Sequence, residues 1–66
     1  MIEKGSVCVV TAGRYAGKTV IVTEVIDDNF VKAKGRGIKE RTFNKRHLLP
    51  TGRVVKDVDA ALEELS

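Results

Sequence analysis

Gly17-Lys18-Thr19, separated from Ala12 by four residues, satisfies the loose pattern of a nucleotide phosphate-binding loop. In such a loop the backbone amides cradle the phosphates and the lysine reaches the terminal ones. That chemistry requires the loop to open into a helix, whose N-terminal amides and dipole complement the anion. It also requires an acidic residue on a separate strand to organise magnesium. Here Lys18 is followed by Thr19-Val20-Ile21-Val22-Thr23, β-branched residues that favour a strand. A 66-residue chain has no room for a sheet with crossover helices. The hydrolase reading is therefore set aside: the chain is expected not to be an enzyme and to hold no catalytic residue.

A different polyanion fits the same loop. Gly13 and Gly17 tolerate backbone conformations other residues resist, and they let a chain lie close to a ligand. Between two antiparallel strands they would bring backbone amides, Arg14 and Lys18 against a nucleic-acid backbone. Tyr15, at the expected loop tip, is placed to stack on an unpaired base. The plain alternative is a hairpin turn with solvated charges.

The remaining candidates lie further along. The formal charge of +3 hides an asymmetry: residues 1–56 carry all twelve bases against five acids, a net +7, and residues 57–66 carry four acids and no base. From Lys32 to Arg53 there are eight bases and one acid, which favours a polyanionic partner over a neutral or acidic one. Lys32, Lys34, Arg36, Lys39, Arg41, Lys45 and Arg46 are the expected phosphate contacts; the alternative is a solvated basic face. Asn44 is suited to bond backbone or a ribose. His47 is expected to cap or bond within its connection or to touch RNA. One histidine and one cysteine, Cys8, make neither a metal site nor an internal disulfide, so no metal and no cofactor is expected. Cys8 reads as a small buried hydrophobe.

The elements that must position these residues are short. Strands are expected over 6–11, 19–26, 30–34 and 38–43, with the glycine loop joining the first two and Asp27-Asn29 and Gly35-Gly37 as turns. Along the third strand Phe30, Lys32 and Lys34 share one side and Val31 and Ala33 the other. Lys39, Arg41 and Phe43 alternate likewise along the fourth, so a hairpin would set two basic ladders side by side. Phe30 and Phe43 are open between core packing, which is favoured, and base stacking. Asn44 to Leu49 reads as an irregular connection and a short last strand that Pro50 stops, and Arg53 to Val55 as extended chain. From Asp57, a cap residue, Val58, Ala61, Leu62 and Leu65 recur at helical spacing, predicting a short amphipathic helix packed on the sheet. Its acids are expected to face away from a nucleic acid or toward a basic protein.

A chain of this size buries only about 60% of its unfolded surface, so one small domain is expected, with 1–56 as the binding barrel and 57–66 as the helix on it. No apolar run approaches the roughly 20 residues that span a bilayer, and a cytosolic, reduced protein is expected.

Gly5 through Lys18, continuing to Phe30-Val31, resembles the KOW motif, a strand-loop-strand element of several ribosomal proteins and NusG-type transcription factors, with Gly17 at the position of its central glycine. Glu24 through Val31, a basic stretch, and Asn44-Lys45-Arg46-His47-Leu48-Leu49-Pro50-Thr51 together resemble the archaeal and eukaryotic large-subunit ribosomal protein fourteen family. Gly13 to Lys18 and His47 to Thr51 are also similar to ribosomal protein twenty-seven of that subunit, a related KOW protein. The resemblance implies a mainly β fold, a small SH3-like barrel with a short C-terminal helix, and a structural role in the large subunit, in the cytoplasm. Its implied partners are large-subunit ribosomal RNA and neighbouring ribosomal proteins, with no membrane and no small-molecule substrate. The alternative is a KOW module that reads a protein partner in a transcription or translation factor.

Overall fold

The computed structural model describes residues 2–64. Five antiparallel strands form one sheet in the order β4-β3-β2-β1-β5: β1 Ser6–Val10, β2 Thr19–Val25, β3 Phe30–Gly35, β4 Ile38–Asn44 and β5 Leu48–Val54. A 3-10 turn, Lys45–His47, joins β4 to β5, and a helix, α1, covers Val58–Glu64. Because side chains alternate across a strand, the sheet has an inner and an outer face. Cys8, Val10, Val20, Val22, Val31, Ala33, Ile38, Phe43 and Leu48 form one buried cluster. Since this cluster draws on both ends of the strand order, the sheet must curl around it, giving a small SH3-like barrel.

Val20-Ile21-Val22 is buried without a break, which an alternating strand allows only if both faces are covered. The helix covers the second face. Val58 and Leu62 pack with Ala61 on Val7 and Ile21, as the helical spacing predicts. Asp57 caps the helix, its Oδ1 accepting from the Ala60 amide at 3.1 Å and its carbonyl from the Ala61 amide at 3.0 Å. Leu65, the last residue of the predicted stripe, lies outside the described residues.

The structure bears out one expectation about the strands and changes two. The run after Lys18 is a strand, so the glycine loop closes a hairpin and the phosphate-loop reading fails on structure as well as on propensity. Pro50 does not stop the last strand: β5 runs through it to Val54, and Pro50 lies opposite Cys8. Proline is tolerated there because β5 is an edge strand, where a missing N–H costs no ladder bond on the outer side. Finally, the two basic ladders do not meet. Lys32 faces Thr42 and Ala33 faces Arg41, with a register shift between Ala33 and Gly35. Arg41 therefore points to the face of Ala33 and Phe43, and Lys32 and Lys34 to the other.

Candidate nucleic-acid interface

The β1–β2 loop is held by its own backbone. Gly17 donates to the Val10 carbonyl at 2.7 Å, Lys18 to Tyr15 at 2.9 Å and Ala16 to Gly13 at 3.2 Å. These bonds close the loop only because Gly13 and Gly17 sit at φ +87° and +88°, a region that side chains disfavour. Open space lies beyond both α-carbons, so another chain can approach there closely. The amides of Ala16, Gly17 and Lys18 are thus spent inside the loop, and what it offers outward is its bare glycine surface with Arg14 and Lys18. Neither cation has an ion-pair partner among the described residues.

Tyr15 is not displayed at the tip. It folds back, half-buried, onto the inner cluster, meeting the Phe43 ring edge-on at 6.5 Å between centroids and 67° between planes. The Arg41 guanidinium lies over its ring at 5.0 Å and donates from Nη1 to the Tyr15 hydroxyl at 3.1 Å. Tyr15 is thus the anchor that fixes the loop, and Arg41 is the planar cation held at the surface above it.

Two backbone bonds extend this rim. Thr11 donates to the His47 carbonyl at 2.8 Å, tying the loop to the 3-10 turn, and Lys45 donates to the Asn29 carbonyl at 2.8 Å, tying that turn to the β2–β3 turn. Asn44 caps the 3-10 turn, Oδ1 accepting from the Arg46 amide at 3.0 Å. Gly13, Arg14, Tyr15, Gly17, Lys18, Arg41, Asn44, Lys45, Arg46 and His47 are in this way brought to one rim. His47 serves it through its backbone, with its side chain exposed.

The other candidates are not tied to the rim by these contacts. Arg36 and Lys39 belong to the β3–β4 hairpin, whose Gly35 lies beside Thr19 at the end of the glycine loop. Lys32 and Lys34 stand on the outer face that carries the helix, where Lys32 lies opposite Glu24 and Lys34 donates from Nζ to Asp59 Oδ1 at 2.6 Å. The hydrogen bond it donates to Asp59 raises the Lys34 pKa above its ordinary value. Asp59 of α1 therefore sits beside part of the basic strand and partly neutralises it. Among the described residues no cluster of histidine, cysteine and acids has a metal-holding arrangement.

Sequence reasoning left Phe30 and Phe43 open, and the structure divides them. Phe43 is 9% exposed in the core, and Phe30 is 40% exposed on the surface. Phe30 lines a groove with Asp28, Asn29, Asn44, Lys45 and Arg46. In the sequence Asp28 and Asn29 read only as turn residues; no spacing signal marks them, because the groove forms when Phe30 pairs with Asn44 across the sheet.

A glycine-opened hairpin in a five-stranded antiparallel barrel is the architecture of a KOW-motif protein, and the KOW motif model matches residues 4–34. More of the chain is matched by whole relatives. Over 96% of its length it is 45% identical to large ribosomal subunit protein eL14 of Desulfurococcus amylolyticus, covering 70% of that protein. It is 46% identical to eL14 of Methanococcus maripaludis, over 96% of this chain and 80% of the relative. It is also 37% identical to eL14 of Metallosphaera sedula, over 97% and 79%. The chain belongs to the large ribosomal subunit protein eL14 family.

Proposed function

We propose that the chain is a structural, non-enzymatic constituent of the large ribosomal subunit, in the cytoplasm, that binds ribosomal RNA through the rim just described. The observation that supports this is that Arg41 lies over Tyr15 of the open glycine loop and Thr11 of that loop bonds the 3-10 turn that carries Lys45 and Arg46, while none of Arg14, Lys18, Arg41, Lys45 and Arg46 is paired with an acid of α1 among the described residues. Cations set on a preformed surface neutralise phosphates in a fixed register. Recognition then rests on backbone shape and charge, as is usual for folded RNA. Membership of the eL14 family supports the ribosomal setting.

Five phosphates neutralised by these five cations give a fall of log K with log salt at a slope of roughly −3.5 to −4.5. The double reversal Lys45→Glu, Arg46→Glu should lower the affinity for ribosomal RNA and flatten that slope by about two phosphates' worth. The same change at Glu63 and Glu64, to Gln, should alter neither. A slope near zero in the wild type rules the reading out.

One observation favours a protein contact beside the RNA contact. Leu49 and Val54 are 59% and 54% exposed on edge strand β5, and suit a neighbouring ribosomal protein. The protein-reading KOW module remains the alternative only if binding is insensitive to salt and is lost on Leu49→Ser instead.

A further inference from the structure

Phe30 is an exposed aromatic in a charged setting, and the residues around it are of types that recognise a nucleotide. The groove it lines is open and encloses about 570 Å³, bounded on one side by Asp28 and Asn29 and on the other by Asn44, Lys45 and Arg46. Both walls are fixed. Asp27 Oδ1 accepts from the amides of Asn29 at 2.7 Å and Phe30 at 2.9 Å, and the Lys45 amide is bonded to the Asn29 carbonyl. Asn44 Oδ1 is taken by Arg46, which leaves its Nδ2 amide as a directed donor with no partner among the described residues. The side chains of Asn29, Lys45 and Arg46 likewise bond no other described residue.

We propose that this groove takes a single unpaired nucleotide of RNA, its base stacked on Phe30 and its phosphate on Lys45 and Arg46. This rests on the RNA-binding reading above and adds a second, base-contacting site to it. The charge arrangement sets the polarity of the ligand. Cations on one wall favour the phosphate, and the Asp28 carboxylate on the other repels it but accepts from the N–H groups of a base edge. A base in a helix is stacked on both faces, so only a bulged, looped or terminal nucleotide can reach a protein ring. An acidic peptide would satisfy Lys45 and Arg46 but would meet Asp28 and bring no planar group to Phe30.

The test uses the full chain, labelled for NMR, titrated separately with AMP, GMP, ribose 5-phosphate and a hexaglutamate peptide. The proposal expects AMP or GMP to move the Phe30 ring and Asn44 side-chain amide resonances saturably, and ribose 5-phosphate to leave the ring signals in place. Phe30→Ala should abolish the response and Phe30→Tyr should keep it, which separates loss of the ring from loss of fold. Equal shifts with ribose 5-phosphate, or a response to hexaglutamate and not to the nucleotides, overturns the proposal. In RNA, a hairpin with one bulged nucleotide should bind more tightly than its fully paired counterpart by roughly 5- to 150-fold, one base stack, an advantage lost in Phe30→Ala. Phe30→Ala that still binds ribosomal RNA with a steep salt slope, alongside wild type with no preference for the bulge, sinks the groove and leaves the rim standing. A wild type with no salt-dependent binding at all sinks the rim instead.

Discussion

Replacing Tyr15 by Ala distinguishes an anchor from a stacking platform. Three contacts would be lost: the edge-on contact with Phe43 at 6.5 Å, the Arg41 guanidinium over the ring at 5.0 Å and the hydroxyl bond from Arg41 at 3.1 Å. Contacts of these kinds contribute about 0.5–1.5 kcal/mol for the aromatic pair, about 0.5–1 for an exposed cation–π contact and about 1 for the hydrogen bond. The three share atoms and will not add fully, so a loss of about 2 kcal/mol is expected. In a domain of this size about 1 kcal/mol moves Tm by roughly 4–8 °C, which places Tyr15→Ala at least about 8 °C below wild type. Tyr15→Phe, which keeps the ring, should fall by about half of that or less. Because Tyr15 is the only tyrosine and the chain has no tryptophan, unfolding has to be followed by far-ultraviolet circular dichroism instead of intrinsic fluorescence. A Tyr15→Ala protein as stable as wild type but unable to bind RNA would mean that the ring serves the ligand and not the fold.

Gly35→Ala should destabilise by about 1–3 kcal/mol through overpacking, because a Cβ there would stand 2.7 Å from the backbone oxygen of Thr19; a denaturation midpoint equal to wild type would contradict this. The Lys34 ammonium, held charged by its hydrogen bond to Asp59, should titrate above its ordinary 10.5. Because the folded pKa is raised, the contact contributes below that pH and is lost as pH rises through the folded value; Asp59→Asn should bring the lysine's NMR titration back down, and a wild-type midpoint at or below 10.5 would refute the pairing. Cys8 is fully buried and burial pushes its thiol pKa up, so it should resist alkylation in the native protein and react on unfolding; rapid native labelling would contradict the packing.

How far the sequence led depends on which residues are followed. β-branched runs marked β1 and β2, alternation in 30–34 placed Val31 and Ala33 inside, and Asp57 announced the helix that it caps. The side-chain period of a strand is two, so a single extra residue moves every later side chain to the opposite face. That is why Arg41 stands with Phe43 above Tyr15, although its spacing from Lys39 suggested a ladder beside Lys32 and Lys34. Pro50 reads as a stop in sequence because a lone sequence does not reveal which strand lies at the edge. The site was legible as composition more than as geometry. Glycines and basic residues marked the segments that form the loop and the 3-10 turn, but which cations stay unpaired is decided by long-range contacts such as Lys34 with Asp59.

The central claim is that RNA lies along the loop and the 3-10 turn, with the helix directed away. Hydroxyl-radical probing from tethered iron tests it most directly. Because Cys8 is buried, a single cysteine introduced at Ala16 or at Glu63 can carry the chelate in a reconstituted large subunit. Cleavage of ribosomal RNA strong from position 16 and weak or absent from position 63 is the predicted result. Strong cleavage from 63 with none from 16 would contradict it.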